Sequence, residues 1–206
     1  MQFGSYLTET RDFLAAKTRE TDNAEKSFLG EKEIKNPEKS FLNVNETQNT
    51  DKPYVSTYEE RLQQTPKNCE LGQWTGERGE STYVSRDPEV QKLLNGAKGI
   101  KYKDAIPDFS KVAICKVEIE GMSVEREKNN YKLCDEAAAK IFNEQKKFGR
   151  SDWCAEDIAQ FRADKNYTWH ECNDMKTCLL VPTDVNGKFK HLGGVAEIKR
   201  LNNAAG

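Results

Sequence analysis

The sequence holds two histidines, His170 and His191, and both fall in one stretch that runs from Tyr167 to Gly194. An imidazole can exchange a proton near neutral pH, and it can also bind a metal ion through an unprotonated nitrogen. Beside them stand Glu171 and Asn186, whose oxygens suit a hard divalent cation. Hydrolysis of a phosphodiester needs an activated water and neutralisation of the charge that builds on the leaving oxygen, so such a set fits that chemistry. Further upstream, Arg78 and Glu80 sit in the glycine-bearing string Trp74-Thr-Gly-Glu-Arg-Gly-Glu-Ser81, where a guanidinium can meet phosphate oxygens two at a time. Lys188 and Lys190, next to His191, are further candidate substrate contacts. Plainer readings stay open: two isolated histidines are ordinary in a soluble domain, Arg78 and Glu80 can simply fix a loop, and Asn186 before Gly187 can be a turn residue.

Such side chains need elements to hold them. Tyr167 to Glu171 reads as a strand, the Asn- and Asp-bearing break Cys172 to Lys176 as a turn, and Thr177 to Val181 as the returning strand. Pro182-Thr183-Asp184 offers a helix start that would carry Asn186 and, near its end, His191 back to the hairpin, with Gly193-Gly194 stopping it. Successive side chains on a strand point to opposite faces, so His170 and Glu171 cannot both face one ion unless the hairpin is distorted. Before the hairpin, the pattern predicts a helix opening near Pro88, a strand over Ile100 to Asp104 with a turn at Ile106 to Ser110, and a strand within Val112 to Ile119. Two helices follow, Arg126 to Phe148 and Ser151 to Arg162, the second burying Trp153, Ile158 and Phe161. Asp108 in the turn is a candidate support for the site.

These strings resemble the Trp-His-His branch, here Trp-His-Glu, of the HNH/endonuclease VII superfamily, nuclease modules common at the C-termini of bacterial polymorphic toxins. The resemblance runs from Gly72-Gln-Trp-Thr-Gly-Glu-Arg-Gly-Glu-Ser81 through Gly99-Ile-Lys-Tyr-Lys-Asp-Ala-Ile-Pro-Asp-Phe-Ser110 to Gly194, and covers about residues 66 to 200. It implies an α+β fold whose C-terminal ββα-metal hairpin and helix pack on helices and a small sheet. It implies a metal-dependent endonuclease, DNA ahead of RNA, with His170 as general base and Glu171, Arg78 and Glu80 in the catalytic set. His170, Asn186 and His191 would face one divalent ion, and Arg78, Lys188 and Lys190 the substrate. Many relatives have His where this chain has Glu171, and relatives usually have His at the place of Asn186. An amide oxygen ligates transition metals more weakly than imidazole, which shifts the expected ion towards Mg²⁺ or Mn²⁺ and away from Ni²⁺ or Zn²⁺, or else leaves a catalytically impaired, nuclease-like binding module. A cognate immunity protein as partner and delivery into the cytoplasm of a target bacterium complete the expectation.

Composition sets the limits. With 36% apolar and 32% charged residues, part of the chain is expected not to pack, and a formal charge of −2 excludes broad electrostatic steering towards nucleic acid. No stretch is apolar enough to span a bilayer. Six cysteines without a Cys-x-x-Cys pair argue for free thiols, with Cys172 and Cys178 the nearest neighbours across the hairpin turn. Residues 1–65 read as a polar linker or pre-toxin segment that carries the repeat Glu-Lys-Ser-Phe-Leu at Glu25 and Glu38, and residues 66–206 as the nuclease domain. On that division, removing residues 1 to 60 should leave stability and cleavage unchanged.

Overall fold

The computed structural model describes residues 54–204; the Glu-Lys-Ser-Phe-Leu repeat and the rest of the expected linker up to residue 53 lie outside the described residues. The described part is α+β, with two small antiparallel sheets and six α-helices. Among the described residues no helix is long and apolar enough to cross a membrane.

Helix α1 (Tyr58–Gln64) opens on a capping box in which the Thr57 hydroxyl accepts from the Glu60 amide and the Glu60 carboxylate accepts from the Thr57 amide. Its anchor is polar. Arg61, only 1% exposed, donates to the Asp104 carbonyl at 2.9 Å and to the Asp104 carboxylate at 2.7 Å. Just before the helix, buried Ser56 donates to Glu197 from its amide at 2.9 Å and from its hydroxyl at 2.6 Å. The docked chain therefore starts well before residue 66. Two buried polar side chains, and not an apolar face, hold residues 54–64, which is why composition placed them with the linker. Removal of residues 1 to 60 would take these Ser56 bonds from Glu197.

Strands β1 (Gly72–Trp74), β2 (Thr82–Ser85), β3 (Ile100–Lys103) and β4 (Ile106–Pro107) form the first sheet in that order. The loop read over Trp74 to Ser81 is the connection of a short hairpin, whose strands β1 and β2 the sequence left unassigned. Between β2 and β3, α2 (Pro88–Lys92) starts on the Asp87 cap with proline in its first turn, as expected. The turn after β3 is Asp104-Ala105, both residues with positive φ (54° and 58°), so it falls earlier than the expected Ile106 to Ser110.

Strands β5 (Cys115–Glu118), β6 (Tyr167–Glu171) and β7 (Thr177–Pro182) make the second sheet, in the order β5-β7-β6. The long predicted helix is divided into a π-helical turn at Arg126–Asn130, α3 (Tyr131–Glu144) and a 3₁₀ turn at Lys147–Gly149. Helix α4 (Ala155–Lys165) begins later than Ser151, where the Cys154 amide donates to the Asp157 carboxylate at 3.1 Å. After the hairpin come α5 (Thr183–Lys188) and α6 (Gly194–Ala204).

The β6–β7 register pairs Trp169 with Leu180, His170 with Leu179 and Glu171 with Cys178. One face of the hairpin carries Trp169, Cys178 and Leu180 into a core with Cys134, Ala138 and Phe142 of α3 and Ile158 of α4. From the other face Val181 enters a second core with Phe109, Val185 and Phe189, and with Trp74 and Tyr102 of the first sheet. The pair of strands thus separates two interiors.

Candidate active site

His170 is buried, 3% exposed, on the second of these faces. Its ring meets Phe109 edge-on with centroids 4.8 Å apart, and His191 in the same manner at 4.6 Å; Phe109 also meets His191 at 5.4 Å. The two imidazoles that sequence placed in one segment are therefore a contact pair, with Phe109 packed against both. His191 lies beyond α5 and not on it. The helix ends at Lys188, and the His191 Nδ1 lies 2.7 Å from the Phe189 carbonyl. A carbonyl can only accept, so Nδ1 carries the proton and Nε2 keeps its lone pair, the tautomer in which a histidine can ligate.

Gly193 and Gly194 do not stop a helix; Gly194 begins α6. They permit a close approach, since a Cβ on Gly194 would lie 2.3 Å from the Cys172 carbonyl oxygen and one on Gly193 would lie 3.0 Å from that of Glu171. The segment bearing His191 is pressed onto the hairpin in this way. Asn173 in the hairpin turn adds a tie, donating to the Leu192 carbonyl at 2.9 Å and to the Glu197 carboxylate at 2.8 Å.

Burial first, and then His191 beside it, hold the His170 pKa well below the ordinary imidazole value, although Asn186 favours its charged form. Burial likewise lowers His191, partly opposed by the Phe189 carbonyl. Both rings are neutral at pH 7. Asn186, on α5, leaves its Oδ1 buried and without a partner of full hydrogen-bond geometry. That oxygen lies by the His170 ring, which it biases towards the charged form; buried polar atoms are nearly always satisfied, so without a full hydrogen bond it stands as an available acceptor. The donor set of two imidazole nitrogens and one amide oxygen fits a divalent cation. Among the described residues no group of three or more His, Cys, Asp or Glu could hold a metal ion, so any such set would include the Asn186 amide.

Glu171 faces the other way. The Arg126 guanidinium grips its carboxylate through Nε at 3.0 Å and a terminal nitrogen at 2.8 Å, and also reaches the Trp169 carbonyl at 3.2 Å. Alternation along β6 is undistorted, so His170 and Glu171 are not brought onto one face. Glu171 and Arg126 still act on His191 through charge, the first favouring and the second opposing its protonation.

The remaining predicted residues lie apart from the imidazoles in their bonding. Arg78 donates to the carbonyls of Leu62 at 2.7 Å, Thr65 at 2.8 Å and Pro66 at 3.1 Å, closing the C-terminal end of α1. Glu80 is exposed on the wall of a cleft that Phe109 also lines. Lys188 pairs with Asp87 at 3.2 Å, while Lys190 is exposed and its carbonyl accepts from Tyr102. Asp108 accepts from the Ser110 amide at 2.9 Å, a local turn bond. All six cysteines are free thiols, and Cys178 lies against Cys134 of α3 as well as near Cys172. Sequence reasoning missed Arg126, Phe109 as a partner of the rings, and the buried pair Glu197 and Ser56. Only Glu197 left a signal, a lone acid amid Val195, Ala196 and Ile198.

Residues 99–193 match the family model described as the DNase/tRNase domain of colicin-like bacteriocins. That span contains His170, Glu171, Asn186 and His191. Neither the curated proteins nor the solved structures yield a match. The family match supports a bacteriocin-type nuclease domain, and with it a nucleic-acid substrate.

Proposed function

We propose that this part of the chain is a metal-dependent endonuclease of the HNH, Trp-His-His type, which hydrolyses phosphodiester bonds in DNA ahead of RNA. The observation that carries the reading is the contact of His170 with His191, and of Asn186 with His170, within the span that matches the bacteriocin nuclease model. His191 and Asn186, with His170 beside them, would hold one divalent ion, Mg²⁺ or Mn²⁺ ahead of Ni²⁺ or Zn²⁺ because one donor is an amide oxygen. Such an ion supplies positive charge for the phosphate oxygens. His170, which burial keeps unprotonated at pH 7, takes the proton of the attacking water. Glu171 belongs to the set as a neighbour held by Arg126, acting on His191 through charge. A cognate immunity protein and delivery into the cytoplasm of a target bacterium go with this reading.

The second reading, a nuclease-like module that binds without cutting, draws on the lack of a carboxylate among the ion-facing donors. Plasmid DNA and RNA incubated with each of the four ions and with EDTA separate the two. Cleavage of DNA with Mg²⁺ or Mn²⁺, and none in EDTA, is the expected result. Retention of DNA with no cleavage under any ion would establish the binding module instead.

A further inference from the structure

We propose that Lys101 and Lys103, on the solvent face of β3, form the track on which a nucleic-acid backbone docks beside the imidazole pair; this rests on the nuclease reading above. The strand reads Ile100-Lys-Tyr-Lys103, and Ile100 and Tyr102 are buried at 2% and 0% exposure. Alternation then sends both lysines outward on one face, about 7 Å apart along the chain. Both line a cleft that also includes Phe109 and Leu179. Phe109 touches His170 and His191, and Leu179 is the residue opposite His170 across the hairpin. Two ammonium groups therefore line a cleft whose Phe109 packs on the candidate catalytic pair behind it.

Among the cations of the neighbourhood, these two line the cleft and are left open, while exposed Lys190 does not line it. Lys188 is paired with Asp87 and Arg78 with carbonyls, so two of the cations that sequence singled out are engaged elsewhere. Lys101 and Lys103 make no ion pair among the described residues. Of the acids in the same cleft, Asp104 is neutralised by Arg61 at 2.7 Å and Asp108 is turned to the Ser110 amide. Glu80 remains as a negative wall that keeps a phosphate backbone on the lysine side. With a net charge of −2 the chain has no broad attraction for nucleic acid, so affinity must come from local cations of this kind.

The test is the salt dependence of binding by the full chain in EDTA, read by fluorescence anisotropy with a labelled duplex and a labelled single strand. Each phosphate contact adds about 0.9 to the slope of log affinity against log salt for duplex DNA and about 0.7 for single strands. The double variant Lys101→Gln/Lys103→Gln should therefore lose about 1.8 of slope on duplex or about 1.4 on single strands, and bind one to two orders of magnitude more weakly near about 0.1 M salt. Glu80→Gln should bind more tightly than wild type. The control Lys132→Gln/Lys140→Gln, on α3, should keep the wild-type slope. If wild type binds and cleaves but the Lys101/Lys103 variant keeps the wild-type slope, the docking track is overturned and the nuclease reading stands. If wild type neither binds nor cleaves, both fall together.

Discussion

Strand β6 has two faces, and they differ in how fully their polar groups are satisfied. On the α3 side, the Trp169 indole nitrogen donates to Asp135 at 2.8 Å, Asp135 accepts two bonds from Arg162 at 2.9 and 2.7 Å, and Glu171 is gripped by Arg126. Every charge there meets its opposite. On the Phe109 side lie two neutral imidazoles, one with an open lone pair, and an amide oxygen beside His170 without a full hydrogen bond. A saturated buried network specifies a fold, because half of one costs more than none. An unsaturated one of the same depth is a departure from that economy, and departures of this kind cluster where a chain does chemistry. The residues differ by one position in sequence, and strand alternation alone assigns them to opposite tasks.

The sharpest way to break this comparison is to remove one group from each face. His170→Ala should lower cleavage by about 10²–10⁴-fold, the range for loss of a positioned proton acceptor, while circular dichroism shows the fold retained. Cleavage within a few-fold of wild type would place the chemistry elsewhere. Asp135→Asn should do the reverse. It leaves Arg162, whose side chain is 15% exposed, without its counter-charge, and should cost roughly 3–5 kcal/mol in denaturant unfolding with little loss of activity per folded molecule. Glu171→Gln sharpens the boundary between the faces: a drop in cleavage beyond about 10²-fold at nearly unchanged stability would show that its charge serves the site across the strand.

Truncation comes next in size. A chain beginning at residue 61 lacks Ser56, so the Glu197 carboxylate, 0% exposed, loses the amides of Val55 and Ser56 and the Ser56 hydroxyl. About 2–4 kcal/mol of stability should go with them, a buried charge being costly to leave short of partners. A chain beginning at residue 50, where the compact unit starts, is the matched control and should keep its melting temperature. Equal melting temperatures for the two truncations would show that the Ser56–Glu197 contact contributes nothing.

The smallest effect is in pH. In EDTA the folded protein keeps His170 and His191 neutral, while the unfolded chain protonates them below the ordinary imidazole pKa of about 6.5. The unfolded state then binds more protons, so their contribution is whole above about pH 6.5 and is lost as the pH falls towards the depressed folded values. Each imidazole contributes at most about 1.4 kcal/mol per pH unit in that window. His170→Gln should flatten the wild-type slope between about pH 6.5 and 5; parallel curves would mean that the buried ring titrates as freely folded as unfolded.

Local signals carried much of the fold. The Asp87-Pro88 helix start, the strand at Ile100, the turn between Cys172 and Lys176 and the β6–β7 hairpin were all legible, because each rests on residues a few positions apart. The same holds for the opposition of His170 and Glu171, which follows from a period of two. What failed were the elements whose cause is remote. Helix α1 is held by Asp104 and Glu197, and the Asp104-Ala105 turn is tied in turn to Arg61. Arg78, in a string that reads as a phosphate loop, closes a helix end that sequence had not placed at all.

By itself, then, the order of residues determined the two imidazoles, the strand that turns one of them inward and the short helix that brings Asn186 near, since periodicity and turn chemistry act within a few residues. Only the tertiary structure decided that His191 meets His170, that Phe109 covers both, and that Arg126 claims Glu171 while Arg78 is bound elsewhere. Those outcomes are competitions among distant polar groups for partners once water is excluded, and a competitor 40 or more positions away leaves no mark on the local pattern.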